Sequence, residues 1–302
     1  VAKISPADAA QIANFMSDNR TKFQRFAPIL ENEFSSWKQL LTPQMLALLP
    51  LLRAHRSLER DLRTFFQDPR VRLSFSFQSK YLGMSPFQCP SLFSILSFLE
   101  YEYGVFHPMG GCNRVSERMA EIAQEMGVDI RLNQDVQSLQ FRGRKVTGVQ
   151  TGSGDTFACD AMVINADFSR AMQRLVPNEL RPTWNDNKIG RSKFSCSTFM
   201  LYLGVRGLDP VAHHTIYFSE DYEGNLNDIT KNYRLSKDPS FYVQNASVTD
   251  SSLAPPGHSA LYVLVPVPHL HPNLDWQVEA PRLRAKAITQ LEKIGIKNLE
   301  ER

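Results

Sequence analysis

Gly110 and Gly111 stand in "HPMGGCNRVSERMAEIAQEMG", directly ahead of a helical pattern. Glycines so placed let backbone N–H groups close on a phosphate at a helix N-terminus. A tight turn asks for the same residues with no ligand at all. Context separates the two. A dinucleotide cradle is G-x-G-x-x-G between a strand and a helix, and no strand fingerprint precedes Gly110. "TGSGDT" does contain G-x-G, yet Phe157 stands where a third glycine is required. It also lies between two strand patterns and reads as a hairpin turn. No dinucleotide fingerprint occurs in the sequence.

A second candidate is "VINAD". A short apolar run ends there on Asn165, Ala166 and Asp167. In doubly wound domains ligands sit beyond the carboxyl ends of strands. An Asn/Asp helix cap would produce the same letters. The histidines offer metal chemistry less readily. His213 and His214 are adjacent, and His269 and His271 would share one face of a strand, but no carboxylate or cysteine cluster accompanies them. No metal site is expected. The sequence has no G-x-S-x-G elbow and no cysteine nucleophile with an evident partner. Cys89, Cys112, Cys159 and Cys196 are scattered without a C-x-x-C pair, which excludes a zinc ribbon or disulfide framework and points to a reduced, cytosolic compartment. No catalytic residue can be named.

These groups depend on the elements that hold them. Residues 7–35 have helical spacing at Ile12, Phe15, Met16, Phe23, Phe26 and Ile29, with Pro28 bending or ending one segment. The stretch from Pro43 carries Met45, Leu46, Leu48, Leu49, Leu51 and Leu52, then Arg53, His55, Arg56, Arg60 and Arg63. It is either a core helix with a solvated basic end or a helix that dips into an anionic membrane surface. "VRLSFSFQSKYLGMSP" begins with alternation, and 91–104 is an apolar helix closed by Gly104. Residues 113–127 form an amphipathic helix stopped by Gly127. "VDIRLN" alternates as a strand. A small antiparallel meander follows, turning at Gly143 and at Gly152–Gly154. "AMVIN" reads as a buried strand. Residues 196–205 and 259–268 are further strands, and the tail is helical.

The chain has 302 residues, enough for two domains, and 42% apolar residues, enough for a packed core. Its formal charge of +3 is too small to imply a nucleic-acid partner. No apolar run is long enough to span a bilayer, and nothing reads as a signal peptide. Val1 at the start, and a terminal helix that looks ready to continue, give the expectation of an internal piece of a longer protein.

"YGVFHPMGG", "GVDIRLNQDV" and "VINAD" follow one another in an order that resembles the middle of bacterial and fungal-type phytoene desaturases. The most specific piece is "VTDSSLAPPGHSALYVLVPVPHL" at 248–270, which is similar to that family's Asp-x-Ser-x-Ala-Pro-x-Gly segment followed by a strand and Val-Pro. "NLDW" with a helix after it also matches. The resemblance covers about 70–290.

It implies an FAD-dependent oxidoreductase of the amine-oxidase-like superfamily, passing a hydride from a carotenoid precursor such as phytoene to flavin. The implied fold is α/β with α+β mixed character. An incomplete FAD/NAD(P)-binding Rossmann-like domain is joined to a mixed-sheet plus helical substrate domain. The implied divisions are 1–104, helical substrate domain; 105–176, middle of the FAD domain; and 177–302, sheet-containing substrate domain. Val136 is implied to lay its backbone on the adenine. Gly110, Gly111, Asn165, Ala166 and Asp167 are the other implied cofactor contacts. The partners would be a carotenoid or other long isoprenoid and, peripherally, a cytoplasmic membrane surface. The family's opening G-x-G-x-x-G and its closing glycine-rich flavin segment are not in this sequence, so flavin binding by the chain alone is not expected. Two other readings remain: a non-catalytic escort that binds isoprenoid on the same fold, and a flavin oxidoreductase of the superfamily acting on a smaller substrate.

Overall fold

The computed structural model describes residues 1–31, 33, 36, 38, 41–53, 55–209 and 211–302. In chain order the elements begin α1 (Pro6–Ala9), α2 (Ile12–Leu30), α3 (Pro43–Leu52), α4 (Leu58–Leu62), α5 (Pro69–Ser74), a 3₁₀ turn (Phe77–Leu82) and α6 (Ser94–Tyr103). Then come α7 (Asn113–Glu125), β1 (Val136–Arg142), β2 (Lys145–Thr151), β3 (Thr156–Ala158), α8 (Phe168–Leu175) and α9 (Asp186–Gly190). The last part holds β4 (Ser197–Arg206), β5 (His214–Tyr217), α10 (Tyr222–Asn227), β6 (Phe241–Asn245), β7 (His258–Val267) and α11 (Trp276–Glu292). Two units result. One joins Val1–Cys112 to Ser195–Arg302; the other is Asn113–Phe194.

The first unit contains an antiparallel sheet in the order β4-β7-β6-β5. β4 and β7, the two strands clearest in the sequence, pair over their whole length, from Ser197 opposite Val267 to Arg206 opposite His258. β7 alternates strictly. Leu261, Val263, Val265 and Val267 are buried, while Tyr262, Leu264 and Pro266 are half-buried on the other face. The buried set packs on Leu283, Ala287 and Leu291 of α11, forming one core. The half-buried set is left to line something else. Pro266 is tolerated because β6 pairs only as far as Leu264, so no ladder bond is lost on that side.

The helical segment has its own core. Phe15 of α2 is fully buried, with Phe65, Phe66 and Phe75 at ring-centroid distances of 5.6, 5.5 and 5.1 Å. Pro28 falls in the last turn of α2 and does not end it. The rest of the expected 7–35 helix, at Asn32, Phe34 and Ser35, lies outside the described residues. Residues 69–74 are helical despite their alternation, because the Asp68 carboxylate caps the turn by accepting the Arg70 N–H at 2.8 Å and Pro69 presets the first position.

The basic end of α3 divides. Arg53 turns its guanidinium onto Asp18 at 2.7 Å and Asp61 at 3.1 Å. Lys22, fully buried, bridges the same two carboxylates at 2.9 and 3.5 Å, and Arg56 stands 3.7 Å from Asp61. These cations neutralise a buried acid cluster. Arg60 is exposed, and Arg63 pairs with Glu59 at the surface. Leu48 and Leu52 are buried and Leu46 is half exposed; the side chain of Leu49 lies outside the described residues. Among the described residues no helix is long and apolar enough to cross a membrane.

In the second unit the amphipathic helix α7 ends as expected. The Val128 N–H donates to Ala123 and the Gly127 N–H to Gln124, a Schellman closure. The meander β1-β2-β3 is antiparallel, with turns at Gly143 and Gly154. Two expected strands do not form. Residues 128–133 and 161–165 have no hydrogen-bonded neighbour strand among the described residues, and a strand exists only through its ladder. Their apolar letters point outward: Leu132 is 77% and Val163 93% exposed.

Candidate functional site

The half-buried face of the sheet floors a cavity of about 560 Å³, within the size range of small-ligand sites. Thr198, Tyr262, Leu264 and Pro266 form the floor with Tyr242, His214 and Ile216. Phe77, Lys80 and Tyr81 of the 3₁₀ turn, Glu100 of α6, Val105 and Phe218 complete the wall. Strand periodicity explains the floor. Residues two apart on β7 share a face, so Tyr262, Leu264 and Pro266 fall together on the side opposite α11.

Polar groups are few and placed singly. The His214 Nδ1 and Tyr242 Oη atoms are 2.7 Å apart. Burial, and then the neighbouring His107, hold His214 below the ordinary histidine value, with Glu100 acting weakly the other way. The ring of His213 lies 4.3 Å from that of His214 and 4.9 Å from that of His107. His213 Nδ1 meets the Thr249 hydroxyl at 2.7 Å. Burial, followed by His214 and His107, also lowers His213. Three imidazoles therefore gather at the start of β5, and His213 and His214 are both held below the ordinary histidine value. Glu100 accepts a hydrogen bond from Gln78 at 2.9 Å. Among the described residues no group of three His, Cys, Asp or Glu is placed to hold a metal ion. His269 and His271 pack their rings against Tyr233 at 5.3 and 4.2 Å.

The glycine pair lies nearby in the same unit. Gly110 and Gly111 have φ of +88° and +90°, a region that side chains avoid. The Gly110 N–H donates to Asp250 Oδ2 at 2.5 Å. The Gly111 N–H donates to the Pro108 carbonyl at 3.0 Å, and a Cβ on Gly111 would stand 3.3 Å from Leu253 Cδ2. Asp250 is buried and also accepts the Ser252 hydroxyl at 2.6 Å and the Ser252 N–H at 3.0 Å. His107 Nε2 stands 3.5 Å away. The Ser252 hydroxyl first, and then the Gly110 N–H, hold the Asp250 carboxyl down at about 2. The N–H groups of the pair are thus spent inside the protein, and this is not a phosphate cradle.

The other four expected cofactor residues belong to the second unit. Val136 opens β1 opposite Thr151 and is half-buried. Asn165 and Ala166 are exposed and lie outside any helix or strand. The Asp167 carboxylate caps α8 by accepting the Arg170 N–H at 2.8 Å. Arg174 of α8 reaches Asp135 at 3.1 Å, which brings this helix to the start of β1. Asn165 and Ala166 are thus open to a ligand and Val136 half-open, while the Asp167 carboxylate is already engaged.

Sequence reasoning did not single out Asp250, His107, Tyr242 or Lys80. Asp250 and His107 lie inside the quoted motifs "DSSLAPPG" and "YGVFHPMGG", the pair His213–His214 was visible by adjacency, and its third imidazole comes from 106 positions away.

Comparison with known proteins gives one family along nearly the whole chain. Residues 3–297 match the model for flavin containing amine oxidoreductases. A 4,4'-diapophytoene desaturase (4,4'-diapolycopene-forming) of Methylomonas sp is 42% identical over 277 residues, covering 92% of this chain and 54% of that protein. A zeta-carotene-forming phytoene desaturase of Myxococcus xanthus is 35% identical over 300 residues, covering 99% and 57%. The chain therefore spans a little over half the length of these curated relatives. An oxidoreductase from Methanosarcina mazei of known structure superposes with a TM-score of 0.53 at 17% identity, covering 86% of this chain and 59% of that one, which shows a shared fold.

Proposed function

The chain belongs to the family of flavin containing amine oxidoreductases, and we propose that within its parent protein it desaturates a long isoprenoid hydrocarbon of the carotenoid-precursor class, with FAD as cofactor. The observation that carries this reading is the cavity. Its floor is one aromatic and aliphatic sheet face, without a carboxylate pair or metal group among the described residues. Such a wall binds an apolar chain by burial and keeps water from the reacting carbons.

Bound flavin supplies the hydride acceptor. The chain must then take up a proton. His214 lines the cavity, is held neutral by burial and by His107, and is oriented by Tyr242. It is the group placed to accept that proton. Val136, Asn165 and Ala166 would hold the cofactor, and Asp167 would act through α8, whose first turn it caps. Gly110 and Gly111 serve indirectly, by fixing the loop ahead of α7. Peripheral contact with a cytoplasmic membrane surface accompanies such a substrate, carried by exposed Leu41, Leu46, Arg60 and Arg63 and not by Arg53 or Arg56.

The test is direct. Purified full-length parent with FAD is mixed with liposomes holding phytoene or 4,4'-diapophytoene. New visible absorption bands of a lengthened conjugated system are expected. No new chromophore with either hydrocarbon, from a protein shown to hold FAD, overturns the reading.

A further inference from the structure

One group in the cavity has no place in hydrocarbon binding. Lys80 lines it from the 3₁₀ turn, and among the described residues no carboxylate lies within ion-pair distance of its ammonium. Its one marked contact is the face of the Tyr222 ring, 5.0 Å from ammonium to centroid. That ring carries a buried hydroxyl with no hydrogen-bond partner among the described residues. Tyr222 does not line this cavity, so its ring face backs the ammonium while the cavity side of Lys80 has no ion-pair partner among the described residues. Leaving such groups unpaired in an apolar surrounding is costly.

We propose that Lys80 is the recognition group for the carboxylate of a long-chain apolar acid, whose hydrocarbon part lies along Tyr262, Leu264 and Phe77. A carboxylate is an acceptor-only anion, which is what an ammonium facing an apolar cavity lacks. The apolar floor has the character that an extended chain needs.

Other charged groups on the wall do not serve in its place. Glu100 is engaged by Gln78 and exerts its charge on Tyr81, Tyr101 and His214, not on Lys80. Cys196 is the one group whose charge would favour the ammonium, but burial raises its thiol and keeps it neutral. Burial pushes Lys80 itself down to about 8, so at neutral pH the ammonium persists without a counter-ion. Burial likewise raises Tyr222, which remains a donor.

The inference concerns the cavity alone and stands whether or not the desaturase reading holds. The test uses the full chain and a fluorescent conjugated C18 acid, cis-parinaric acid, against its methyl ester. The ester keeps the chain and removes the charge. Expected is a roughly ten- to hundredfold preference for the acid. Lys80→Met, which keeps the stem, should abolish the preference and leave the affinity for the ester intact. Lys80→Arg, which keeps the charge, should retain most of it. Equal binding of acid and ester by the unaltered chain overturns the proposal, as does a preference that survives in Lys80→Met. Neither result bears on whether a hydrocarbon is desaturated.

Discussion

The Asp250 carboxylate accepts the Gly110 N–H across 140 positions of sequence. It ties together the two stretches that carry the family pattern most strongly, "YGVFHPMGG" and "DSSLAPPG". The glycine loop is thereby anchored to the turn that feeds β7, the strand that floors the cavity.

Gly111→Ala is expected to destabilise the protein by about 1–3 kcal/mol, because alanine is forced to positive φ while its Cβ meets Leu253. Urea denaturation followed by tryptophan fluorescence measures it. A midpoint equal to that of the unaltered chain would show the loop free to relax.

Asp250 makes stability depend on acid. Its folded value of about 2 lies below the ordinary 3.8. A depressed carboxylate contributes stability above its unfolded value, and that contribution fades as pH falls through the folded value. Between pH 4 and pH 2 the thermal midpoints of the protein and of Asp250→Asn should converge. Midpoints that stay equally far apart over that window would contradict the assignment.

His214→Gln in the full-length parent should lower kcat by roughly 10²–10⁴ while leaving retention of a polyene ligand unchanged. Because His214 must be neutral to accept a proton and its value is lowered, the acid limb of the pH–rate profile should inflect below 6.5. Tyr242→Phe frees the imidazole and should shift that inflection. An acid limb that persists unaltered in His214→Gln assigns the proton to another group.

The two halves of the basic segment should separate experimentally. Arg53→Gln strips a partner from Asp18 and Asp61 and should cost about 2–3 kcal/mol, less than a fully isolated buried pair because Lys22 remains. Arg60→Gln with Arg63→Gln should leave stability unchanged and weaken binding of the parent to anionic vesicles by roughly thirtyfold, at about 1 kcal/mol per charge. Sedimentation with and without phosphatidylserine reads this out.

Elements set by local pattern were legible. β4 and β7 follow from their runs of strand-forming apolar residues, α7 from its apolar stripe and glycine stop, and the meander from its turns. The strands expected at 128–133 and 161–165 were not obtained, because apolar letters describe a wish for burial and only a neighbouring ladder makes a strand. The cavity was illegible for a related reason. It exists where side chains from 77–105 and 196–266 face one another, and no periodicity within either stretch encodes the other. Lys80 in particular reads as an ordinary surface lysine. Arg53 reads as part of a lipid-facing patch until Asp18 and Asp61 are seen beneath it.

The insertion of Asn113–Phe194 between the two parts of the first unit has a consequence for biosynthesis. On the ribosome Cys112 emerges well before Ser195. At roughly 5–20 residues per second the delay is on the order of 4–17 s. In that interval the Phe15, Phe66 and Phe75 cluster can condense by itself, since all its members are already translated. Phe77 has no such recourse. Its later ring partner Phe218 does not yet exist, so this part of the nascent chain stays uncovered for seconds. Holdase chaperones act on such surfaces, and synonymous codons that slow translation within 113–194 should lengthen the exposure and lower the soluble yield.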